Sequence, residues 1–295
     1  MRSRDRPRGC SHRRRRESLL AKSNAYRYFL QVLDRGHAVQ FVADVAAAGR
    51  YCFTTDEAVR AFGGSLVAAR AALRRLKARI EIADPHRGFH VIVPPEYRQL
   101  GCLPADQFVP QLMEYLRQPY YVALLSAAEL HGAAHQRPQS LQVMVRANRR
   151  EIVCGQVRVQ FVARKDLEQT PLVERNTPRG RLRVASPEAT ALELVGYADQ
   201  CGGLDNVASV LAELVDSLDG KKLLDAARLC PIAWTQRLGY LLDIAGHRHV
   251  ADTLEPHVRD HAHVVAPLVR AKPMAGVERV ERWKLAVNAT VEPDT

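Results

Sequence analysis

The sequence lacks any apolar segment long enough to cross a membrane. Its longest apolar runs, such as Val122 to Leu130, fall well short of the roughly 20 residues that a spanning helix needs. The arginine-rich N-terminus is not followed by an apolar segment, as a secretory signal would require. We therefore expect a cytoplasmic protein that does not bind membranes.

Closely spaced cysteine pairs are also missing. The six cysteines are scattered without a C-x-x-C pair, which argues against a zinc ribbon and against a disulfide framework. We expect most of them to be small core residues. They are Cys10, Cys52, Cys102, Cys154, Cys201 and Cys230.

The common catalytic and nucleotide-binding motifs are absent as well. Neither a G-x-x-x-x-G-K-[ST] phosphate loop nor a G-x-G-x-x-G fingerprint occurs. Ser126 lies near His131 but lacks the G-x-S-x-G turn that exposes a nucleophilic serine. The sequence thus predicts neither an enzyme nor a cofactor.

Two histidines four residues apart, His131 and His135, raise the question of a zinc site. An H-E-x-x-H peptidase motif needs a glutamate after the first histidine, and Gly132 occupies that place. We predict a helix from Tyr120 to His131 that Gly132 ends, so that the two histidines do not share a helix.

A second group of histidines lies near the C-terminus. In a helix, His257 and His261 could face one side with Asp260 beside them, but exposed helical histidines explain the pattern more simply. We therefore predict no metal site here. The group comprises His247, His249, His257, His261 and His263.

Positive charge is abundant and unevenly distributed. The chain of 295 residues has 43 Lys plus Arg and 32 Asp plus Glu, of which 19 basic and 8 acidic residues lie between Met1 and Pro95. The remainder is formally neutral, so the whole excess belongs to the first third. A strongly basic N-terminal third beside a neutral remainder indicates that one domain binds a polyanion and that the other domain binds a different partner.

The first third begins with a basic arm and continues with helical spacing. Residues 1–23 include the run Arg13 to Arg16 without apolar periodicity, which predicts a disordered arm. From Asn24 to Ala48 the apolar residues recur at helical spacing with Gly36 as a break, which predicts one or two helices.

The next block has the signals of a helix-turn-helix. Thr54 and Glu57 match a capping box, and the pair Gly63 and Gly64 ends the short helix that this box starts. Ser65 is a good N-cap for a second helix, which has basic residues on its outer face. The apolar stripe of that helix is formed by Leu66, Ala69, Leu73, Leu76 and Ile80.

A hairpin follows the basic helix. Ile80 to Asp84 and Phe89 to Val93 are predicted strands, joined by a turn from Asp84 to Gly88. Together, residues 24–97 predict a winged helix-turn-helix domain.

Prolines and a glycine mark residues 98–110 as a linker, and residues 111–295 as a second, larger domain. We predict a helix from Val109 to Arg117 and strands at Leu141 to Arg146, Val157 to Ala163 and Arg181 to Ala185. Ser186, Pro187 and Glu188 begin a mostly helical region that ends near Ala271. The overall expectation is an α+β protein, with a winged helix before a mixed and mostly helical second domain.

Several separated segments resemble one protein family. The stretch GRYCFTTDEAVRAFGGSLVAARAALRRLKARIEIADPHRGFHVIVPPEY is similar to the winged helix of AbiEi-type antitoxins from type IV toxin–antitoxin systems. Three further segments are similar to the second domain of these antitoxins: YYVALLSAAELHGAAHQRPQSLQVMV, PLVERNTPRGRLRVASPEATALELV and RWKLAVN. The resemblance covers residues 49–288 and leaves out the arginine-rich arm.

This resemblance implies two activities. The winged helix would repress the protein's own operon, and the second domain would neutralise a nucleotidyltransferase-like toxin, without a stable complex being required. The alternative is a one-component regulator with a ligand-binding second domain. The partners expected from the resemblance are operator DNA and the toxin.

The predicted DNA contacts follow from placing the basic helix in the major groove. Small residues at its start, including Val67 and Ala68, would touch a thymine methyl group or a phosphate, and arginines would bind guanine edges or phosphates. The predicted DNA-binding residues are Thr54, Ser65, Arg70, Arg74, Arg75, Lys77, His86 and Arg87.

Overall fold

The structure is a computed structural model that describes residues 36–63, 65–133 and 138–292. The predicted arm of residues 1–23, the start of the predicted helical region and His135 lie outside the described residues. The chain divides into two compact units, with the boundary between Leu103 and Pro104.

Over residues 36–63 and 65–103, the first unit combines three helices with a small antiparallel sheet. Its sheet has the order β1-β3-β2. The elements are α1, described over residues 36–47, β1 (Cys52–Thr54), α2 (Thr55–Phe62), α3 (Leu66–Ala78), β2 (Ile82–His86), β3 (Phe89–Ile92) and a 3₁₀ turn (Pro95–Tyr97). This order and pairing are consistent with the predicted winged helix-turn-helix.

Local signals start and stop the two central helices of this unit. The predicted capping box is confirmed: the Glu57 amide donates to Thr54 Oγ1 at 3.2 Å, and the Thr54 amide donates to Glu57 Oε2 at 2.7 Å. Gly63 ends α2 with φ of 63°, a left-handed conformation that glycine adopts without strain. Ser65 caps α3 by accepting from the Ala68 amide, as predicted.

The core of the first unit lies between α1, α3 and the sheet. Phe41 of α1 meets the rings of Phe53 and Phe62 edge-on, with centroids 5.2 and 5.5 Å away. The predicted apolar stripe of α3 is wrong at both ends. Leu66, the first helical residue, is 42% exposed, and Ile80 is 41% exposed because it follows the helix with φ of 55°.

The hairpin turn is shorter than predicted. Strand β2 continues through Pro85 to His86, with a register irregularity between Ala83 and His86. Pro85 lacks an amide hydrogen and is tolerated at such an irregularity of the ladder. Only Arg87 and Gly88 remain in the turn, where Gly88 has φ of 81°.

The first half of the second unit is built around a mixed sheet of six strands. The strand order is β6-β7-β5-β4-β9-β8, with parallel pairing of β5 with β7 and of β4 with β9. The elements are α4 (Ala105–Tyr115), β4 (Tyr120–Val122), α5 (Leu124–Leu130), β5 (Leu141–Val145), β6 (Ile152–Cys154), β7 (Val157–Ala163), a 3₁₀ turn (Leu167–Gln169), β8 (Leu172–Thr177) and β9 (Gly180–Ala185).

The second half is mostly helical, as predicted, and ends in a small sheet of order β10-β12-β11. Its helices are α6 (Pro187–Gly196), α7 (Leu204–Leu214), α8 (Gly220–Ala227), α9 (Ile232–Ile244), α10 (Arg248–Ala251) and α11 (Glu255–His261), and its strands are β10 (Ala266–Pro267), β11 (Glu278–Val280) and β12 (Leu285–Val287). Short 3₁₀ turns occur at Ala198–Cys201, Val215–Ser217 and Glu281–Trp283. The chain is thus an α+β protein, as expected.

Two predictions about this unit are wrong. The second half of the proposed linker of residues 98–110 is helical, because α4 begins at Ala105 and includes Pro110. The predicted helix from Tyr120 to His131 is instead strand β4, a break at Leu124 with φ of 56°, and the short helix α5. An apolar run without glycine or proline does not distinguish a helix from a buried strand.

Helices α6 and α9 pack closely, and both carry a glycine at an aromatic ring. A Cβ atom on Gly196 would lie 2.3 Å from the Trp234 ring, and one on Gly239 would lie 2.2 Å from the Trp283 ring. Real Cβ contacts do not reach such distances. Glycine is therefore required at both positions for the rings to remain where they are.

Candidate DNA-binding surface and antitoxin domain

The exposed face of α3 presents both apolar and basic side chains. At the start of the helix Val67 is 74% exposed. Arg70 and Arg74 are exposed one helical turn apart, so their side chains lie on the same face. Within the described part of the chain, neither guanidinium has an ion pair with a carboxylate. Both remain available to an external anion.

Two other basic residues of α3 are already engaged. The Lys77 ammonium lies 2.9 Å from Asp84 Oδ2 on the hairpin. Arg75 is half-buried and also has an interaction within the protein. That Lys77 and Arg75 contact DNA stays a prediction. Both side chains already interact with other residues of the first unit.

The hairpin tip holds the two predicted wing residues. His86 is half-buried, and its Nδ1 donates to the carbonyl of Arg87 at 3.0 Å, which fixes the imidazole against the turn. Arg87 is exposed at the turn. The tip therefore carries one oriented ring and one exposed cation.

Thr54 and Ser65 have their hydroxyl groups at helix starts. Thr54 belongs to the capping box of α2, where Glu57 also pairs with Arg50 at 2.6 Å. Burial raises the pKa of Glu57, but hydrogen bonds from Arg50 and Thr54 outweigh it and hold that pKa below its usual value. The Thr54 hydroxyl also donates to Glu57 Oε2 at 3.1 Å, whereas the Ser65 hydroxyl accepts from the Ala68 amide and can still donate its hydrogen.

A chain of polar contacts joins α3, the hairpin and α2, and it was not predicted from the sequence. Lys77 binds Asp84, whose Oδ1 lies 2.7 Å from Nδ1 of His90, and Nε2 of His90 lies 2.9 Å from Oγ1 of Thr55. His90 is buried and stacks on Phe53 with ring centroids 5.2 Å apart. A histidine in the otherwise apolar strand FHVI was the only sequence signal for this chain of contacts.

His131, in the second unit, has both ring nitrogens occupied. Nε2 donates to the Ala185 carbonyl at 2.7 Å, and Nδ1 accepts from Arg175 Nη2 at 3.0 Å. Arginine can only donate, so the imidazole is neutral with its hydrogen on Nε2. Burial, aided by the charge of Arg175, lowers the pKa of His131. The ring holds strand β9 and leaves no lone pair for a metal.

The later histidines form pairs without further ligands. The rings of His257 and His261 lie with centroids 4.5 Å apart, and burial together with the charge of His261 lowers the pKa of His257. Among residues 36–63, 65–133 and 138–292, no group of three or more His, Cys, Asp or Glu side chains is placed to hold a metal ion.

A buried ionic cluster lies between the sheet and α6. Glu193 is fully buried, and its Oε1 accepts from Arg164 Nη1 at 2.5 Å and from the Tyr121 hydroxyl at 2.6 Å. The Arg164 guanidinium also lies 5.4 Å from the centre of the Trp234 ring, and the Tyr121 hydroxyl lies 3.1 Å from Thr170 Oγ1. Burial raises the pKa of Glu193 to about 7 despite the favourable charge of Arg164.

Comparison with known proteins identifies one domain of the chain. The model of the AbiEi antitoxin C-terminal domain matches residues 121–244. The chain therefore contains an AbiEi antitoxin C-terminal domain. Members of this antitoxin family are generally not enzymes, and an antitoxin has a toxin as its partner. No curated protein matches the sequence significantly.

The fold also has a counterpart among solved structures. The crystal structure of the RV2827C protein from Mycobacterium tuberculosis superposes with a TM-score of 0.62 at 18% identity. The match covers 85% of this chain and 90% of that chain. At this level of identity, the likeness concerns the fold alone.

The AbiEi match includes the whole buried cluster around Glu193 and begins at Tyr121, one of its members. A second charged cluster lies beyond the match. Arg282 pairs with Asp243 at 3.0 Å and with Glu255 at 2.9 Å, and it also contacts Asp252. The segment containing Arg282 therefore ties the small C-terminal sheet to α9, whose Asp243 lies inside the match, and to α11, which lies outside it.

Within the described part of the chain, none of the helices is long and apolar enough to span a bilayer.

Proposed function

We propose that this AbiEi protein binds double-stranded operator DNA through its first unit and neutralises a nucleotidyltransferase-like toxin as the antitoxin of a type IV system. By binding its own promoter it represses its operon, and it works in the cytoplasm. The observation that carries the DNA-binding part is the exposed start of α3, where Val67 lies beside Arg70 and Arg74, two cations without an acidic partner among the described residues.

The bound arrangement follows from the geometry of a helix in the major groove. The N-terminal residues of a recognition helix come nearest to the bases. Val67 offers an apolar contact to a thymine methyl group, whereas Arg70 and Arg74 reach guanine edges or phosphates. The Ser65 hydroxyl can donate its hydrogen to a phosphate oxygen, whereas Thr54, whose hydroxyl donates to Glu57, would approach the phosphate from the start of α2.

The wing supplies a second contact. Arg87 at the hairpin turn meets a phosphate or the adjacent minor groove, with His86 beside it. The contacts from Lys77 through Asp84 to His90 hold this hairpin against α3. Because both surfaces are fixed to one another before binding, less conformational entropy is lost when DNA is bound.

The DNA-binding proposal is tested with the triple variant Arg70→Ala, Arg74→Ala and Arg87→Ala. We expect weaker operator binding, and a logarithmic salt dependence whose slope falls by about 0.9 for each phosphate that the protein no longer neutralises. A matched control removes the same charge from exposed arginines of the second unit through Arg150→Ala, Arg248→Ala and Arg279→Ala.

The control variant distinguishes the loss of DNA contacts at α3 and the wing from the loss of three positive charges. If both triple variants lose the same affinity and slope, α3 is not the DNA-binding element. Unchanged affinity and slope in the first variant, with its fold intact, would refute the proposal.

The antitoxin proposal is tested by growth of cells that express a nucleotidyltransferase-like toxin encoded beside the gene. We expect rescue by the full chain and also by the Arg70, Arg74 and Arg87 triple variant, because neutralisation belongs to the AbiEi domain. Rescue by neither, despite soluble expression, would reject the neutralising role and favour a regulator that responds to a ligand. Repression of a reporter by the full chain measures autoregulation separately.

A further inference from the structure

A cleft of about 270 Å³ lies in the second unit at the start of helix α7. Its walls come from the end of α6, the start of α7, the middle of α9 and the segment that follows β10. Three basic side chains line it: Arg237, Arg270 and Lys272. The volume is slightly below the roughly 300 to 1,000 Å³ of sites for drug-sized molecules, which favours a small ligand.

Arg237 is the unusual member of this group because it is buried. The residue is only 3% exposed, and its Nε donates to the Pro267 carbonyl at 3.0 Å. No carboxylate among residues 36–63, 65–133 and 138–292 pairs with its guanidinium. Burial, and then the nearby charge of Arg270, lower its pKa to about 10.

Arg164, which is also buried in this unit, shows how such a charge is usually balanced. Arg164 is paired with Glu193 at 2.5 Å and has an aromatic ring beside it. A buried charge is unfavourable unless it is paired and hydrogen-bonded. Arg237 instead has its positive neighbour Arg270 and lines an open cleft, so an external anion would complete its interactions.

Helix α7 adds a second feature that favours an anion. It is an 11-residue helix whose first turn is not capped by a side chain of the described chain, and its N-cap residue is Gly203 with φ of 96°. A Cβ atom on Gly203 would meet nothing within 4 Å, so the approach to the helix start is open. Unpaired amide groups and the helix dipole at such a terminus attract anions.

Two carboxylates also line the cleft, and they restrict the choice of ligand. Asp199 and Asp205 are both exposed, and Asp205 accepts from the Glu292 amide at 2.9 Å. Three cations therefore face two carboxylates. The site is positive only near Arg237, Arg270 and the helix start, so it fits one compact anionic group rather than an extended polyanion.

We propose that this cleft binds the phosphate group of a small molecule, either inorganic phosphate or a phosphate monoester. The guanidinium groups of Arg237 and Arg270 hold the phosphate oxygens from one side, and the amide groups at the start of α7 hold them from the other. Lys272 contributes charge from the exposed rim. The site is independent of the proposed DNA contacts, which lie in the first unit.

The test is titration calorimetry of the full chain with inorganic phosphate and, separately, with adenosine monophosphate. Ionic strength is held constant with chloride so that general screening does not change. We expect saturable binding that also raises the melting temperature of the second unit, because a ligand that binds only the folded state stabilises it.

Two variants and one control locate the binding. Arg237→Met and Arg270→Gln should each weaken phosphate binding by about tenfold or more, as expected when a charged hydrogen bond is removed. The control Arg279→Gln removes an exposed arginine outside the cleft and should bind phosphate normally. If Arg237→Met does not fold, the exposed Arg270→Gln decides the matter.

The outcomes also separate the possible sources of the phosphate. Binding of phosphate or the monoester that both variants weaken supports the proposal. Failure of the wild-type chain to bind either probe at millimolar concentration overturns it, as does binding that neither variant changes. A further arm uses a DNA duplex: weaker duplex binding by Arg237→Met, without binding of either small probe, would assign the cleft to a nucleic-acid backbone and overturn the proposal.

Discussion

Asp84 and His90 face each other across the hairpin of the first unit, with Oδ1 of the carboxylate 2.7 Å from Nδ1 of the imidazole. A carboxylate can only accept, so Nδ1 is the donor. The second oxygen of Asp84 holds Lys77 of α3 at 2.9 Å. One carboxylate thereby connects helix α3 to both strands of the hairpin.

Removing this connection should loosen the wing. We expect Asp84→Ala to lower the free energy of unfolding of the first unit by about 1–3 kcal/mol, because buried His90 loses its acceptor. Amide hydrogen exchange should accelerate in β2 and β3, and operator affinity should fall although Asp84 itself is not expected to touch DNA. The control Glu81→Ala removes a partly exposed pair with Arg79 and leaves the Asp84 contacts in place. Equal exchange in both variants would contradict this role.

Acid should weaken the same unit for a related reason. Burial raises the pKa of Asp84, but hydrogen bonds from His90 and Lys77 outweigh it, so the folded pKa lies below the usual value of 3.8. A depressed carboxyl pKa contributes stability that is present above the unfolded pKa and is lost as pH falls through the folded one. Denaturant titrations of wild type and Asp84→Asn should therefore differ most above pH 3.8 and converge below it.

The buried pair of the second unit predicts an effect of mutation that depends on pH in a higher range. Arg164→Met leaves the carboxyl of Glu193 buried without its cation, which destabilises by about 3–5 kcal/mol when that carboxyl is charged. The pKa of Glu193 is already raised to about 7, so the loss of stability should be largest above pH 7 and small near pH 5, where the carboxyl is protonated.

Tryptophan fluorescence measures this effect selectively, because both tryptophans, Trp234 and Trp283, lie in the second unit. The control Arg228→Met breaks an exposed pair with Asp225 and should change the free energy of unfolding by less than about 1 kcal/mol at either pH. A destabilisation of Arg164→Met that does not depend on pH would show that Glu193 is not the group responsible.

Close packing at Gly239 predicts a severe effect from one added methyl group. Gly239→Ala should destabilise the second unit by about 1–3 kcal/mol or more, because the new Cβ would lie 2.2 Å from the Trp283 ring. Thermal unfolding followed by tryptophan fluorescence checks this. The control Lys221→Ala changes an exposed helical position of the same unit and should leave its stability nearly unchanged.

The apolar contact of α3 can be tested apart from its charges. Val67 is 74% exposed, so Val67→Ala should leave stability unchanged. If it contacts a thymine methyl group, operator affinity should fall while affinity for unrelated DNA and the salt slope remain the same. Competition binding with operator and unrelated duplexes measures the ratio, and an unchanged ratio would remove Val67 from the base contacts.

Local chemistry explains what could be predicted from the sequence. The capping box of Thr54 and Glu57, the N-caps Ser65 and Ser186, and strand β7 were correctly predicted because each depends on neighbouring residues or on a regular period. The same local signals indicated a basic helix followed by a hairpin. They also carried the family resemblance, since its motifs are runs of contiguous residues.

Tertiary structure decided the matters that depend on distant residues. The run from Tyr120 is a strand because it pairs with β5 and β9, and neither pairing is visible in its own sequence. Lys77 is tied to Asp84 on the hairpin, while Arg74, with a similar sequence context, is exposed. Most clearly, Arg164 and Arg237 are both buried, and only the fold gives one of them a carboxylate and the other a cleft. Sequence specifies local conformation and charge, but the partner of each charge is set by which segments the fold brings together.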